Sequence, residues 1–227
     1  MGGGSLRTSH SAGFTLAEVL ITLGIIGIVA ALTIPTLVRN YKKSEIETKL
    51  KRFYSYMNQA IQLAEIDYGD KITWDIGSKS SLADCKTNQY SEACLTAFFN
   101  KYLKNYLKYD KVKYDTDGPV IETGHKLLVY MSDGSVVAIG YAGSDYDYCM
   151  NYEAYKLREN GRGCFGFAFY PKGAAGVRGD YYKNRGLLPY APHNWDGTKE
   201  DMYNKGLYSM IIQSNNWKIP DDYPVKL

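Results

Sequence analysis

Between Phe14 and Val38 the chain reads FTLAEVLITLGIIGIVAALTIPTLV, an apolar run interrupted by one charge, Glu18. As a helix this run measures about 37 Å at about 1.5 Å per residue. That is enough to cross a hydrocarbon core of about 30 Å with some tilt. A chain carrying such a segment is neither a simple cytosolic globule nor, with only one segment of this kind, a multi-span membrane protein. The rest is polar: mean hydropathy over the whole sequence is −0.35, charged residues make up 22%, and the net charge is +3. This balance argues against global disorder and is too weakly basic to point to a nucleic-acid partner. One apolar segment leads one polar body, rich in tyrosine.

Three readings of the segment compete. A secretory signal needs a shorter apolar core and a small-x-small cleavage site behind it. Here Ala30-Ala31 is followed by Leu-Thr-Ile-Pro. An ordinary signal anchor fits the length but leaves Glu18 unexplained, because a carboxylate inside a membrane helix costs about 2.5–3.5 kcal/mol and usually marks function. Cleavage between Gly13 and Phe14 explains it. The new amine on Phe14 lies one helical turn before Glu18 and supplies a cationic partner, on the same chain or a neighbour.

Gly13-Phe14-Thr15-Leu16, then Glu18-Val19-Leu20 and the apolar run, resembles the class III signal of type IV pilins and of the pseudopilins of type II secretion. The close likeness covers about residues 13–68. It implies cleavage after Gly13 by a prepilin peptidase that also N-methylates Phe14. It implies that Glu18 guides each subunit into a growing filament. Pro35 stands where members of the family carry a helix-perturbing proline. The implied partners are the peptidase/N-methyltransferase, other pilin or pseudopilin subunits, an inner-membrane assembly platform, and lipid before assembly. The implied fold is α+β: a long N-terminal helix packed on a small antiparallel sheet with long loops. The corresponding organisation is a leader over 1–13, a transmembrane assembly helix over 14–38, its amphipathic continuation over 39–69, and an exported domain over 70–227. The implied location is a single pass through the inner membrane with an extracytoplasmic domain, then a surface filament or the periplasm.

The residues support this independently. Ala17, Gly24, Gly27 and Ala31 share one helical face, where small side chains let membrane helices approach; their general abundance in such helices is the competing account. Pro35 lacks an N–H, which predicts a kink or local melting. Arg39, Lys42 and Lys43 flank the run on the exported side, against the positive-inside rule. Beyond them Ile46, Leu50, Phe53, Met57, Ile61 and Ala64 recur at helical spacing, with Lys43, Glu47, Lys51 and Asn58 assigned to the opposite, solvent face. Gly69 ends the pattern.

Cys85, Cys94, Cys149 and Cys164 contain no C-x-x-C pair, and the three histidines show no ligand spacing, which disfavours zinc. An even count behind an export signal suggests disulfides. Three pairings are available; Cys85–Cys94 and Cys149–Cys164 are favoured because each closes a short loop. Lys126–Tyr141 reads as a hairpin with a two-residue turn at Asp133-Gly134. Residues 163–170 read as a strand, 92–109 as a helix, and Ser209–Gln213 as the last buried element. From 171 onward long loops with short regular pieces are expected.

No nucleophile elbow, zinc-protease helix or phosphate loop occurs. Cys164 with His125 or His193 could act as nucleophile and base, but the disulfide reading outweighs it, so no enzyme and no cofactor is expected. Asp115-x-Asp117 and Asp145-x-Asp147 could ligate Ca²⁺, though neither completes a calcium loop, and solvated turns are the plainer account. Tyr146, Tyr148, Tyr152, Tyr155, Tyr170, Tyr181 and Tyr182 cluster near the second cysteine pair. Half-buried positions in a loop-rich domain explain them better than a glycan or adhesin site. The sequence therefore reads as a filament subunit. The alternatives are a pseudopilin of a secretion or DNA-uptake machine, and a membrane-anchored extracytoplasmic binding module that never polymerises.

Overall fold

Apolar residues spaced three and four apart after position 42 demand a partner, and the body supplies one. The computed structural model describes residues 14–77, 85–116 and 126–227. The chain resolves into two units, Met1–Lys42 and Lys43–Leu227. Helix α1 (Leu16–Tyr68) contributes its beginning to the first and its remainder to the second.

In the first unit the helix is apolar and none of its most apolar stretch is buried; it is long and apolar enough to cross a membrane. It continues unbroken through Pro35. Of the kink or local melting expected there, the helix shows no melting, because losing one N–H removes one rung while the adjoining turns keep theirs.

In the second unit all six expected stripe residues of α1, from Ile46 to Ala64, are buried. Gly69 closes the helix in a left-handed conformation (φ +79°), donating its N–H to Glu65 O at 3.0 Å, as a C′ glycine does. The opposite face departs from expectation. Glu47 is only 6% exposed and Asn58 is half-buried, because the C-terminal segment and the chain before the last strand fold over them.

Helix α2 (Glu92–Tyr102) is capped by Ser91, whose hydroxyl accepts from Cys94 N at 3.2 Å. It is shorter than the expected 92–109. Strand β1 (Tyr109–Asp115) takes over, since Lys111 and Val112 onward pair with β2 (Lys126–Met131); ladder bonding overrides a helical periodicity too short to nucleate alone. Then follow β3 (Val136–Gly140), β4 (Asp145–Cys149), α3 (Tyr152–Leu157), β5 (Cys164–Ala168), α4 (Arg178–Tyr182), β6 (Leu188–Pro189), α5 (Lys199–Asn204) and α6 (Tyr208–Ser214). The six strands form one antiparallel sheet in sequential order.

The β2–β3 hairpin is expected, but its turn differs. Met131 N donates to Ser135 O (2.9 Å) and Gly134 N to Met131 O (3.0 Å), leaving three loop residues. Gly134 takes φ +82° while Asp133 does not turn left-handed, the three-residue form with one left-handed glycine.

The sheet separates two environments by its two-residue period. Leu127, Val129, Val137, Ile139, Tyr146, Tyr148, Phe165 and Phe167 join α1 in the main core. Phe53 of α1 stacks on Tyr148 at 4.3 Å and meets Phe167 edge-on. The tyrosines thus depart from the half-buried expectation: Tyr146, Tyr148, Tyr155 and Tyr182 are core residues, and Tyr152, Tyr170 and Tyr181 are half-buried. Burying aromatic area is what a sheet of short strands needs to hold its helix.

Candidate functional site

The N-terminal turn of α1 carries the first set of sequence-flagged residues. Gly13 lies outside the described residues, with the rest of 1–13. Phe14 is exposed. The Glu18 carboxylate accepts from Thr15 N (2.8 Å) and Thr15 Oγ1 (2.9 Å), and Thr15 Oγ1 accepts in turn from Glu18 N (3.3 Å). This is a reciprocal capping box. In the intact chain, then, Thr15 rather than Phe14 satisfies Glu18. Thr22 and Thr33 donate to Val19 O and Val29 O, both at 2.9 Å. Each of these polar side chains is satisfied by its own helix, which lipid requires. Gly24 and Gly27 have nothing within 4 Å of where a Cβ would sit, so in this single chain the small-residue face is open.

The second set lies in the body. Cys85–Cys94 and Cys149–Cys164 are disulfides, and among the described residues no cysteine is free. The second joins directly paired residues of β4 and β5. It removes Cys164 as a nucleophile; His125 lies outside the described residues.

The second acidic pair lies in a strand rather than a loop. Asp145 and Asp147 alternate with Tyr146 and Tyr148 along β4, so both carboxylates project from the outer face of the sheet. Asp147 Oδ2 accepts from Lys126 Nζ at 3.0 Å, and Asp145 Oδ1 from the Tyr170 hydroxyl at 2.6 Å. Gly140 makes room for the lysine, since a Cβ there would touch Lys126 Cδ at 3.3 Å. Burial pushes the Asp145 carboxyl up, only partly offset by Tyr170 and Lys126. Lys126 is buried, which alone would lower its pKa, yet pairing with Asp147 holds it above the usual lysine value. A calcium ion at these carboxylates would have to displace that ammonium. Asp115 accepts from the Tyr155 hydroxyl at 3.1 Å; Asp117 lies outside the described residues, and among those described no group of three potential metal ligands gathers. The alternation of acid and tyrosine over 145–148 was the signal that could have marked β4 in the sequence.

Comparison with known families decides what kind of chain this is. The sequence model of a family of unknown function (DUF6613) matches residues 36–227. The chain belongs to that family. The DUF6613 region is preceded by the prokaryotic N-terminal methylation motif, matched over residues 8–34. This DUF6613 chain therefore carries a class III prepilin-type signal and is a precursor of the type IV pilin or pseudopilin kind, with a pilin-like α+β architecture. The motif belongs to membrane-anchored precursors with a periplasmic or surface domain, processed by prepilin peptidase and structural rather than enzymatic. No curated protein and no solved structure matches the chain.

Proposed function

We propose that this DUF6613 chain is a structural subunit of a type IV pilus-like filament. It is cleaved after Gly13, methylated on Phe14, and polymerised through the apolar half of α1. One observation carries the reading: α1 begins with the methylation motif and leaves its whole apolar half uncovered, with Glu18 as its one charge. The body buries its own stretch of the helix, so the surface left for assembly is the first unit. After cleavage the Phe14 amine competes with Thr15 for the Glu18 carboxylate, and a neighbour's amine can do the same. The peptidase, sister subunits, an inner-membrane assembly platform and lipid are the partners this requires. The chain acts by assembly, not catalysis.

The pseudopilin reading shares every residue role and differs in where the polymer ends. Mass spectrometry of the N-terminal peptide tests all of this. A methylated Phe14 peptide in sheared surface material supports a pilus; the same peptide confined to membranes moves the chain to a secretion or DNA-uptake machine. Glu18→Ala should abolish incorporation while leaving the membrane pool intact. Normal incorporation of Glu18→Ala would remove the assembly role of Glu18, a wild-type chain found in no polymer would leave the anchored binding module as the surviving reading, and an uncut Met1 peptide in both fractions would remove the processing role of Gly13.

A further inference from the structure

The outer face of the sheet holds a cleft that assembly through α1 does not use. Its volume is about 510 Å³, within the range of small-molecule sites. Lys126, Asp145, Asp147 and Gly166 form the floor. Residues 190–194 after β6, and 205–207 with the first turn of α6, form the walls. Gly166 keeps the floor low: a Cβ there would meet Tyr190 Cβ at 3.3 Å.

The lining chemistry selects among ligand classes. Its cations are already compensated, Lys126 by Asp147 at 3.0 Å and Lys205 by Asp201, while the Asp145 carboxyl accepts from the Tyr170 hydroxyl at 2.6 Å. An anionic ligand would therefore meet no surplus counter-charge, and a cationic one would reach Asp145 only beside the Lys126 ammonium, which already feels that carboxylate. An apolar ligand would strand these ionised groups away from water, at a cost. An extended peptide would need free strand groups, but Gly166 O already accepts from Tyr190 N and Ser209 Oγ, and Cys164 O from Gly161 N. What remains is a neutral molecule dense in hydroxyls. Each hydroxyl both donates and accepts, matching carboxylate, ammonium and the exposed amides Asn160 and Asn194, beside the tyrosines Tyr190 and Tyr208. These two are not members of the sequence-flagged tyrosine cluster.

We propose that this cleft binds a neutral saccharide of one or two rings. The test uses the full chain in an amine-oxide detergent, whose headgroup carries no sugar. Saturation-transfer NMR is recorded with glucose, galactose, mannose, N-acetylglucosamine and their disaccharides, and with inorganic phosphate, acetate and arginine as charged controls. At least one saccharide should give saturable transfer. The Asn160→Ala/Asn194→Ala double variant, whose sites are exposed, should keep the wild-type unfolding midpoint and weaken that saccharide at least about tenfold, a loss of about 1.4 kcal/mol. Asp147→Asn, which removes the direct partner of Lys126 and leaves the neighbouring Asp145, should weaken the saccharide. Three results overturn the proposal: no transfer to any sugar, equal binding by the double variant, or a charged control binding the wild type better than every sugar. The filament role of Glu18 is unaffected by any of them.

Discussion

Asn58 and Leu187 bond to each other twice. The Asn58 carboxamide oxygen accepts from Leu187 N at 3.0 Å, and its nitrogen donates to Leu187 O at 3.1 Å and to Tyr54 O at 2.9 Å. One side chain of α1 thus completes the backbone of the segment entering β6. Gly186 permits the approach, because a Cβ there would collide with Asn58 Oδ1. Asn58→Ala strands two backbone groups of buried Leu187 and should cost about 1–3 kcal/mol. Gly186→Ala should be destabilising in the wild type and nearly neutral in the Asn58→Ala background. A double-mutant cycle by chemical denaturation of the detergent-solubilised chain, read from tryptophan fluorescence, measures this coupling. Additive losses would remove the steric account.

Glu47 pins the C-terminal segment. Its carboxylate accepts from buried Ile219 N (2.9 Å) and from Lys218 Nζ (2.7 Å). Glu47→Ala leaves the Ile219 N–H unpaired and should cost about 1–3 kcal/mol. The Lys218 side chain is 69% exposed, so Lys218→Ala should cost less than about 1 kcal/mol. Equal losses in the same denaturation assay would show that the ion pair, not the backbone bond, holds the segment.

Alkali should unfold the body cooperatively. Burial pushes the phenols of Tyr146, Tyr148, Tyr155 and Tyr170 upward. Lys126 is also raised, its pairing with Asp147 outweighing burial. Groups whose folded pKa lies above the unfolded value contribute fully below that unfolded value, about 10 for these types. Their contribution is lost as pH rises through the folded values. Stability should hold from neutrality to about pH 10 and then fall. The phenolate absorbance of these residues should appear together with loss of near-ultraviolet circular dichroism. Phenolate absorbance complete for all 22 tyrosines before any loss of structure would contradict their burial.

Tyr146→Phe should be neutral or stabilising by about 1 kcal/mol. The Tyr146 hydroxyl is buried with no hydrogen-bond partner among the described residues, while its ring packs in the main core. A loss of more than about 1 kcal/mol in thermal unfolding would mean that the hydroxyl is satisfied after all.

Each disulfide closes a short local loop, with sequence separations of 9 and 15. Removing either pair as Cys→Ser should lower stability by about 3 kcal/mol on the chain-entropy account. The Cys149–Cys164 loss should be reduced in effect by the ladder that already pairs those residues. Comparing the two double serine variants by thermal unfolding checks the order.

Much of this was legible in advance because its cause is local. The buried stripe of α1 needs only helical spacing, and the left-handed end at Gly69 needs only a residue without a Cβ. The β2–β3 hairpin follows from two β-branched runs around a turn dipeptide. What misled was equally specific. Residues 103–107 keep a helical pattern, yet the chain turns and enters β1, because pairing with β2 outbids an isolated helical turn. The Asp-Tyr alternation of β4 looked like a polar loop because both residue types are individually hydrophilic.

By itself the sequence determined the processing signal, the single charge at Glu18 on an apolar helix, and the amphipathic continuation through Tyr68, since each depends on residues within one or two turns of one another. Only the tertiary structure decided that Glu47 and Asn58 point inward, that Tyr146 and Tyr148 fill the core, and that Lys126 meets Asp147 across the sheet. Those facts rest on contacts between segments up to 172 residues apart. No local periodicity encodes them, because a polar side chain can be buried wherever a distant backbone group arrives to satisfy it.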